Sequence, residues 1–201
     1  MKEEGKSVNI VVISILIGIV LLVIAIIGFS GRETVILPLK FEEFTDFQCP
    51  ACKTYHPVIK KLVSEFSDNV DYEFKNYPLI DIHNNAYNAS LAGQAAKLQG
   101  KFSEMSDLLF ENQELLTEEN FIKWASEIPG IDIEKFKLDY KSAEVKTVID
   151  NEIKEGQARG ISATPTFYIN SEKVVFKEGD NPEDILRATI KEKIELGLKQ
   201  R

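Results

Sequence analysis

Among 201 residues there are only two cysteines, two histidines, two methionines and one tryptophan. Two cysteines exclude a disulfide-rich scaffold, which needs several bridges to stand in for a core. Two cysteines and two histidines leave room for at most one four-ligand zinc site, and it would consume them all. Positive charge is scarce as well: 24 Lys and Arg face 32 Asp and Glu, a net charge of −8. So acidic a chain is repelled by nucleic acid and by anionic lipid headgroups. No basic stripe, Gly-rich phosphate loop, internal repeat or low-complexity tract reopens those options, so nucleic acid is not an expected partner.

Charge is missing altogether from Ile10 to Phe29, a nearly continuous aliphatic run broken by Ser14, Gly18 and Gly28. About 20 such residues match the thickness of a bilayer core. The expectation is an N-terminal tail over 1–9, a transmembrane anchor over 10–29 and a linker over 30–34. A cleaved signal peptide is the rival, since Gly28 and Ser30 are small residues at cleavage spacing, but its apolar region is shorter, about 7–15 residues. Lys2 and Lys6 precede the span while Arg32 and Lys40 follow it, so charge alone leaves the orientation open. Without the first 30 residues the chain keeps 22 basic and 30 acidic side chains.

Both cysteines fall in one stretch, Phe44-Thr45-Asp46-Phe47-Gln48-Cys49-Pro50-Ala51-Cys52-Lys53. An apolar run ends at Phe47, and Pro50 fits the first turn of a helix, where its missing N–H costs nothing. The pattern reads as strand, Cys49 at the helix entrance, then helix. A sulfur there faces unpaired backbone amides and the positive end of the helix dipole, which favour thiolate over thiol. Cys52 lies one turn on and can close a disulfide with it, so the pair reads as a redox switch. Zinc through Cys52 and His56, four apart on one helix, and a purely structural disulfide are the alternatives. A disulfide that short constrains the unfolded chain little. A working disulfide belongs on the oxidising side of a membrane, which places residues 31–201 outside the cytoplasm.

Along the rest of the chain, Thr34 to Phe47 has strand composition, with Pro38 at an edge or bend. Alternation puts Phe41, Glu43, Thr45 and Phe47 on one face and Glu42, Phe44 and Asp46 on the other. Glu43 then sits among aromatic neighbours, where desolvation disfavours its charged form; the plainer reading is a solvated strand carboxylate. Pro50 to Phe66 reads as a helix with Pro57 a kink, Val70 to Tyr77 as a strand ended by Pro78. From Asn84 to about Gly160 only helical periods occur. Thr166 to Ile169, a turn at Asn170-Ser171-Glu172 and Lys173 to Phe176 read as a hairpin, and Asn181 caps a final helix over 182–198. His56 is expected on a helix surface, His83 as a cap or packing residue.

Phe-x-Asp-Phe-x-Cys-Pro-x-Cys after a strand, Pro57 five residues beyond Cys52, and Ala163-Thr164-Pro165-Thr166-Phe167 before the hairpin resemble the thioredoxin-fold disulfide oxidoreductases of the DsbA type. The resemblance spans residues 34–198. It implies an α/β thioredoxin fold over 35–83 and 161–201, interrupted by an inserted helical domain over 84–160. It also implies that Cys49 is the attacking cysteine, Cys52 the buried resolving cysteine, and Pro165 a cis-proline that leaves the Thr164 backbone free for an extended substrate. Glu43, six residues before Cys49, matches an acidic proton-relay position. Pro50 and Ala51 form the active-site dipeptide, and Ala51 is a departure, because strong oxidants of the family carry histidine there.

The function expected from residues and resemblance together is a membrane-tethered thiol–disulfide oxidoreductase that donates disulfides to cysteines of exported proteins. It needs no cofactor beyond the Cys49–Cys52 disulfide and no metal. The resemblance adds a membrane partner, linked to quinones, that reoxidises the pair. A reductase or isomerase using the same residues is the first alternative. A non-catalytic module holding extended peptides around Pro165 is the second.

Overall fold

The computed structural model describes residues 15–21 and 37–199, with side chains to residue 197. Residues 37–199 belong to one compact unit and 15–21 to another. Most of the expected span and the linker over 30–34 lie outside the described residues. Within that span, residues 15–21 are helical. Among the described residues no helix is long and apolar enough to cross a membrane.

The central strand β1 runs Leu39–Thr45. It starts after Pro38, which has no N–H for a ladder, and ends where the Asp46 carboxylate accepts from Gln48 N at 2.7 Å and turns the chain. Helix α1, Pro50–Glu65, follows and contains Pro57. Strand β2, Val70–Asn76, returns parallel to β1.

Five helices then intervene: α2 Ala86–Lys97, α3 Phe102–Glu111, α4 Glu118–Glu127, α5 Ile133–Lys141 and α6 Ala143–Ala158. Their starts are written in the sequence. Thr117, Asp132 and Ser142 each cap a helix by accepting a backbone N–H three residues on. After Gly160, at a positive φ of 67°, β3, Thr166–Ile169, pairs antiparallel with β1. Strand β4, Glu172–Lys173, pairs with β3, and α7, Pro182–Lys199, ends the described chain. The sheet order is β2-β1-β3-β4. This is an α/β thioredoxin-like architecture with a helical insertion.

The hairpin differs from the expected one. Asn170 and Ser171 alone form the turn, both at positive φ, and β4 is two residues long rather than a strand to Phe176. After one further bond, Val174 N to Phe167 O at 2.9 Å, the chain leaves the ladder. Phe176 instead packs its ring on Tyr55 and Phe167, so burial of an aromatic overrides local strand composition.

Both faces of β1 are covered, which positions the site. The face with Phe41 packs on Ile59 and Leu62 of α1 and Leu186 of α7. The face with Phe44 packs on Tyr77, Tyr168 and Ile161. Gly156 of α6 permits that approach, because a Cβ there would lie 2.4 Å from the Tyr77 ring. The helical block has its own core, and Phe47, Cys49 and Cys52 belong to it.

Candidate active site

Cys49 occupies the N-cap position of α1 with extended backbone angles, and Pro50 takes the first turn. Burial of an apolar ring sets this placement. Phe47 is fully buried, 5.1 Å from the Phe74 ring and 4.8 Å from Phe110, and it pulls the loop down between β2 and α3. Cys49 is 7% exposed and Cys52 0%, both as thiols. Hydrogen bonding from Cys52 draws the Cys49 thiol down to about 5 against the opposing pull of burial, with help from Thr164 and the backbone amides of Cys52 and Ala51. Burial first, and the Cys49 sulfur second, push Cys52 far up. One sulfur is thus a stable thiolate near neutral pH and its neighbour a thiol, the asymmetry that disulfide exchange uses.

Across from the pair, the Thr164–Pro165 peptide is cis. When protonated, the Cys49 thiol donates to Thr164 O at 3.4 Å. Thr164 Oγ1 is buried without a hydrogen-bond partner among the described residues. Pro165 and Phe167 line an open cleft of about 300 Å³ with Lys173 and Phe176. Pro50 and Ala51 are exposed beside the cysteines, so the dipeptide faces solvent.

Glu43 is not a solvated carboxylate. It is 3% exposed, and burial raises it to about 7, although the Tyr72 hydrogen bond and the neighbouring Thr45 hydroxyl pull the other way. Tyr72 Oη donates to Glu43 Oε2 at 2.5 Å. Burial, then the Glu43 charge, holds the Tyr72 phenol well above its ordinary value. A carboxyl that titrates near neutrality can give or take a proton.

A sequence profile described as thioredoxin matches residues 38–192. The chain belongs to the thioredoxin family. Within it the chain resembles disulfide bond formation protein D of Bacillus cereus, 31% identical over 144 residues that cover 66% of each chain. Crystalline BdbD of Bacillus subtilis superposes with a TM-score of 0.66 at 23% identity, over 82% of this chain and 91% of that one. A Na(+)/H(+) antiporter, NhaA 1 of Mycolicibacterium vanbaalenii, is 34% identical over 135 residues, 66% of this chain. The chain spans only 22% of that antiporter's length.

Sequence reasoning missed several residues that build this thioredoxin-family site. Asp46, fully buried, accepts from Leu79 N at 2.8 Å and contacts His83 Nδ1 at 2.7 Å, tying the loop after β2 to the cysteine loop. Gln113, in a single 3₁₀ turn after α3, donates from Nε2 to Phe47 O at 2.8 Å and Cys49 O at 2.9 Å. No pattern in the sequence flags a glutamine 64 residues beyond the cysteine it steadies. His56 departs from its expected surface place: it is partly buried against the Phe110 ring, with Nε2 2.7 Å from Asp107 Oδ1. Burial lowers its pKa, opposed by Asp107. Each histidine thus has a carboxylate partner, and among the described residues no three of His, Cys, Asp and Glu converge as metal ligands.

Proposed function

We propose that this protein is a thiol–disulfide oxidoreductase that donates the Cys49–Cys52 disulfide to cysteine-containing exported proteins. The observation that carries the reading is the placement of Cys49 at the entrance of α1, 3.4 Å from the Thr164 carbonyl of the cis peptide, with Cys52 sealed behind it; hydrogen bonding draws Cys49 down and burial drives Cys52 up. A stabilised Cys49 thiolate favours the reduced pair, so the oxidised pair tends to pass its disulfide on; each pKa unit is about 1.4 kcal/mol, close to 30 mV for two electrons. In the forward reaction a substrate thiolate attacks Cys49 Sγ, the Cys49–Cys52 bond breaks, and Cys52 leaves. A second substrate thiolate then attacks the substrate sulfur of the mixed disulfide and releases Cys49 as thiolate. Thr164, beside the cysteines, presents backbone to an extended substrate, and Pro165 lines the adjoining cleft. Glu43 serves the proton traffic of Cys52. The only redox group required is the cysteine pair, with no metal or cofactor.

The uncharged stretch over 10–29 anchors the chain as a single span in the cell membrane, with residues 31–201 on the extracytoplasmic side. What supports this is the length of the uncharged run, about 20 residues, which matches a bilayer core. A quinone-linked membrane protein that reoxidises the pair is the partner this arrangement calls for. The name of the Bacillus cereus relative agrees with disulfide formation.

The deciding experiment is the reduction potential of the pair in the full-length chain, equilibrated against glutathione. A value of about −120 to −180 mV supports the donor, and one near −270 mV supports a reductase or isomerase. A pair that does not cycle leaves a peptide-binding module, whose affinity for extended peptides survives Cys49→Ser.

A further inference from the structure

The Glu43 carboxyl and the Cys52 sulfur are both shut off from water, 3% and 0% exposed. Cys52 nevertheless gains or loses a proton each time its bond to Cys49 breaks or forms. Thr45 neighbours both. It comes two residues after Glu43 on β1, so its side chain leaves the same face of the sheet, toward α1. It is 1% exposed, and its hydroxyl is held by no hydrogen bond among the described residues. That hydroxyl is a neighbour of both groups, lowering the pKa of the Glu43 carboxyl and of the Cys52 thiol while bonded to neither. An unpaired hydroxyl in a dry site is a cost, and valine would fill the same strand position without it. A hydroxyl can also donate and accept at once, which a relay requires.

We infer that Thr45 is the proton-relay residue between Glu43 and Cys52. The inference rests on the disulfide-donor reading. When a substrate thiolate attacks Cys49, the Cys49–Cys52 bond breaks and its electron pair stays on the Cys52 sulfur. Cys52 takes the hydrogen of the Thr45 hydroxyl as the Thr45 oxygen takes the proton of Glu43. The products are a Cys52 thiol, an intact Thr45 hydroxyl and a Glu43 carboxylate, which regains its proton from solvent through local opening of the fold. In the reverse direction Cys52 returns its proton along the same path as the disulfide re-forms. The titratable groups facing the relay are Tyr72 from β2 on the Glu43 side, with Cys49 and Tyr55 from α1 and again Tyr72 on the Cys52 side.

The test uses the oxidised full-length chain and glutathione as the attacking thiol, with rates normalised to glutathione thiolate. Thr45→Val is expected to slow reduction by about 100-fold below pH 7, the loss of a positioned general acid, while Thr45→Ser keeps most of the rate. Because the two residues act in series, Thr45→Val on top of Glu43→Gln adds no further loss. The Cys49 thiolate absorbance, followed against pH, stays where it was. A Thr45→Val protein with the parent rate and pH profile overturns the relay, as do losses that multiply in the double variant. Should Thr45→Val not fold, the parent protein decides: a curved dependence of rate on deuterium fraction, two protons in flight, supports the relay, and a linear one overturns it. If the parent pair does not react with glutathione at all, the donor reading falls and takes the relay with it, an outcome distinct from any Thr45 effect.

Discussion

Glu42 and Glu43 are neighbours in sequence, both sealed inside the protein, and they behave oppositely. Glu42, on the Phe44 face of β1, is gripped at 3.0 and 3.1 Å by the two terminal nitrogens of Arg159, with Lys40 at 3.1 Å and Lys75 at 3.7 Å. Against the desolvation of burial, the hydrogen bonds from Arg159 and Lys40 hold it below the usual carboxylate range. Glu43, on the α1 face, has a phenol and a hydroxyl for neighbours, and burial lifts it to about 7. A buried carboxyl is thus held charged or left to titrate near neutrality according to whether a cation shares its side of the strand. The Arg159–Glu42 pair fastens the end of the helical block to the sheet.

The strongest way to break this contrast is to remove the cation. Arg159→Met should destabilise the fold by about 3 kcal/mol, the lower end for an orphaned buried charge because Lys40 remains. Adding Glu42→Gln should recover most of it, and urea unfolding of the three proteins checks both statements. The next largest effect comes from the other face. Glu43 has a raised pKa in the fold, so the stability it lends is full below about 4.5 and is lost as pH rises through about 7. Glu43→Gln, which stays neutral, should therefore stabilise the protein by about 3 kcal/mol at pH 8 and by almost nothing at pH 4. Glu42 runs the other way, with stability lost as pH falls through its lowered pKa.

Smaller changes sharpen the comparison. Tyr72→Phe removes a hydrogen bond that lowers Glu43. It should cost about 1 kcal/mol and move the alkaline limb of the stability profile upward. Ala51→His would bring a cation to the redox side, but at an exposed position. It should lower the Cys49 pKa by less than about one unit, no more than some 30 mV in potential, with the Glu43 limb unmoved. A shifted Glu43 limb would show that the exposed dipeptide and the buried carboxyl are electrically coupled.

Alternation along β1 separates Phe41, Glu43 and Thr45 from Glu42, Phe44 and Asp46 in the sequence alone, and the structure keeps that division. The cysteine stretch, the helical block and the hairpin are likewise legible, because each rests on local period or turn chemistry. The partners are not. Glu42 is a functionless acid until Arg159, 117 residues away, reaches it, and Asp46 and Gln113 act through contacts just as remote. Strand alternation names a face without saying what covers it, and both faces of β1 are covered. Val174 to Phe176 read as strand by composition, yet Phe176 gains more by burying its ring on Phe167 than by lengthening a ladder.

The order of the strands also sets a timetable. Strand β1 is central only once β3, some 120 residues later in the chain, has docked beside it. Until then a growing chain has no Thr164 opposite Cys49, no Gln113 amide on the cysteine loop before residue 113 emerges, and no Phe110 over Phe47. Pairings so distant form late. A newly made copy therefore lacks, for most of its synthesis, the contacts that cover and orient its two thiols.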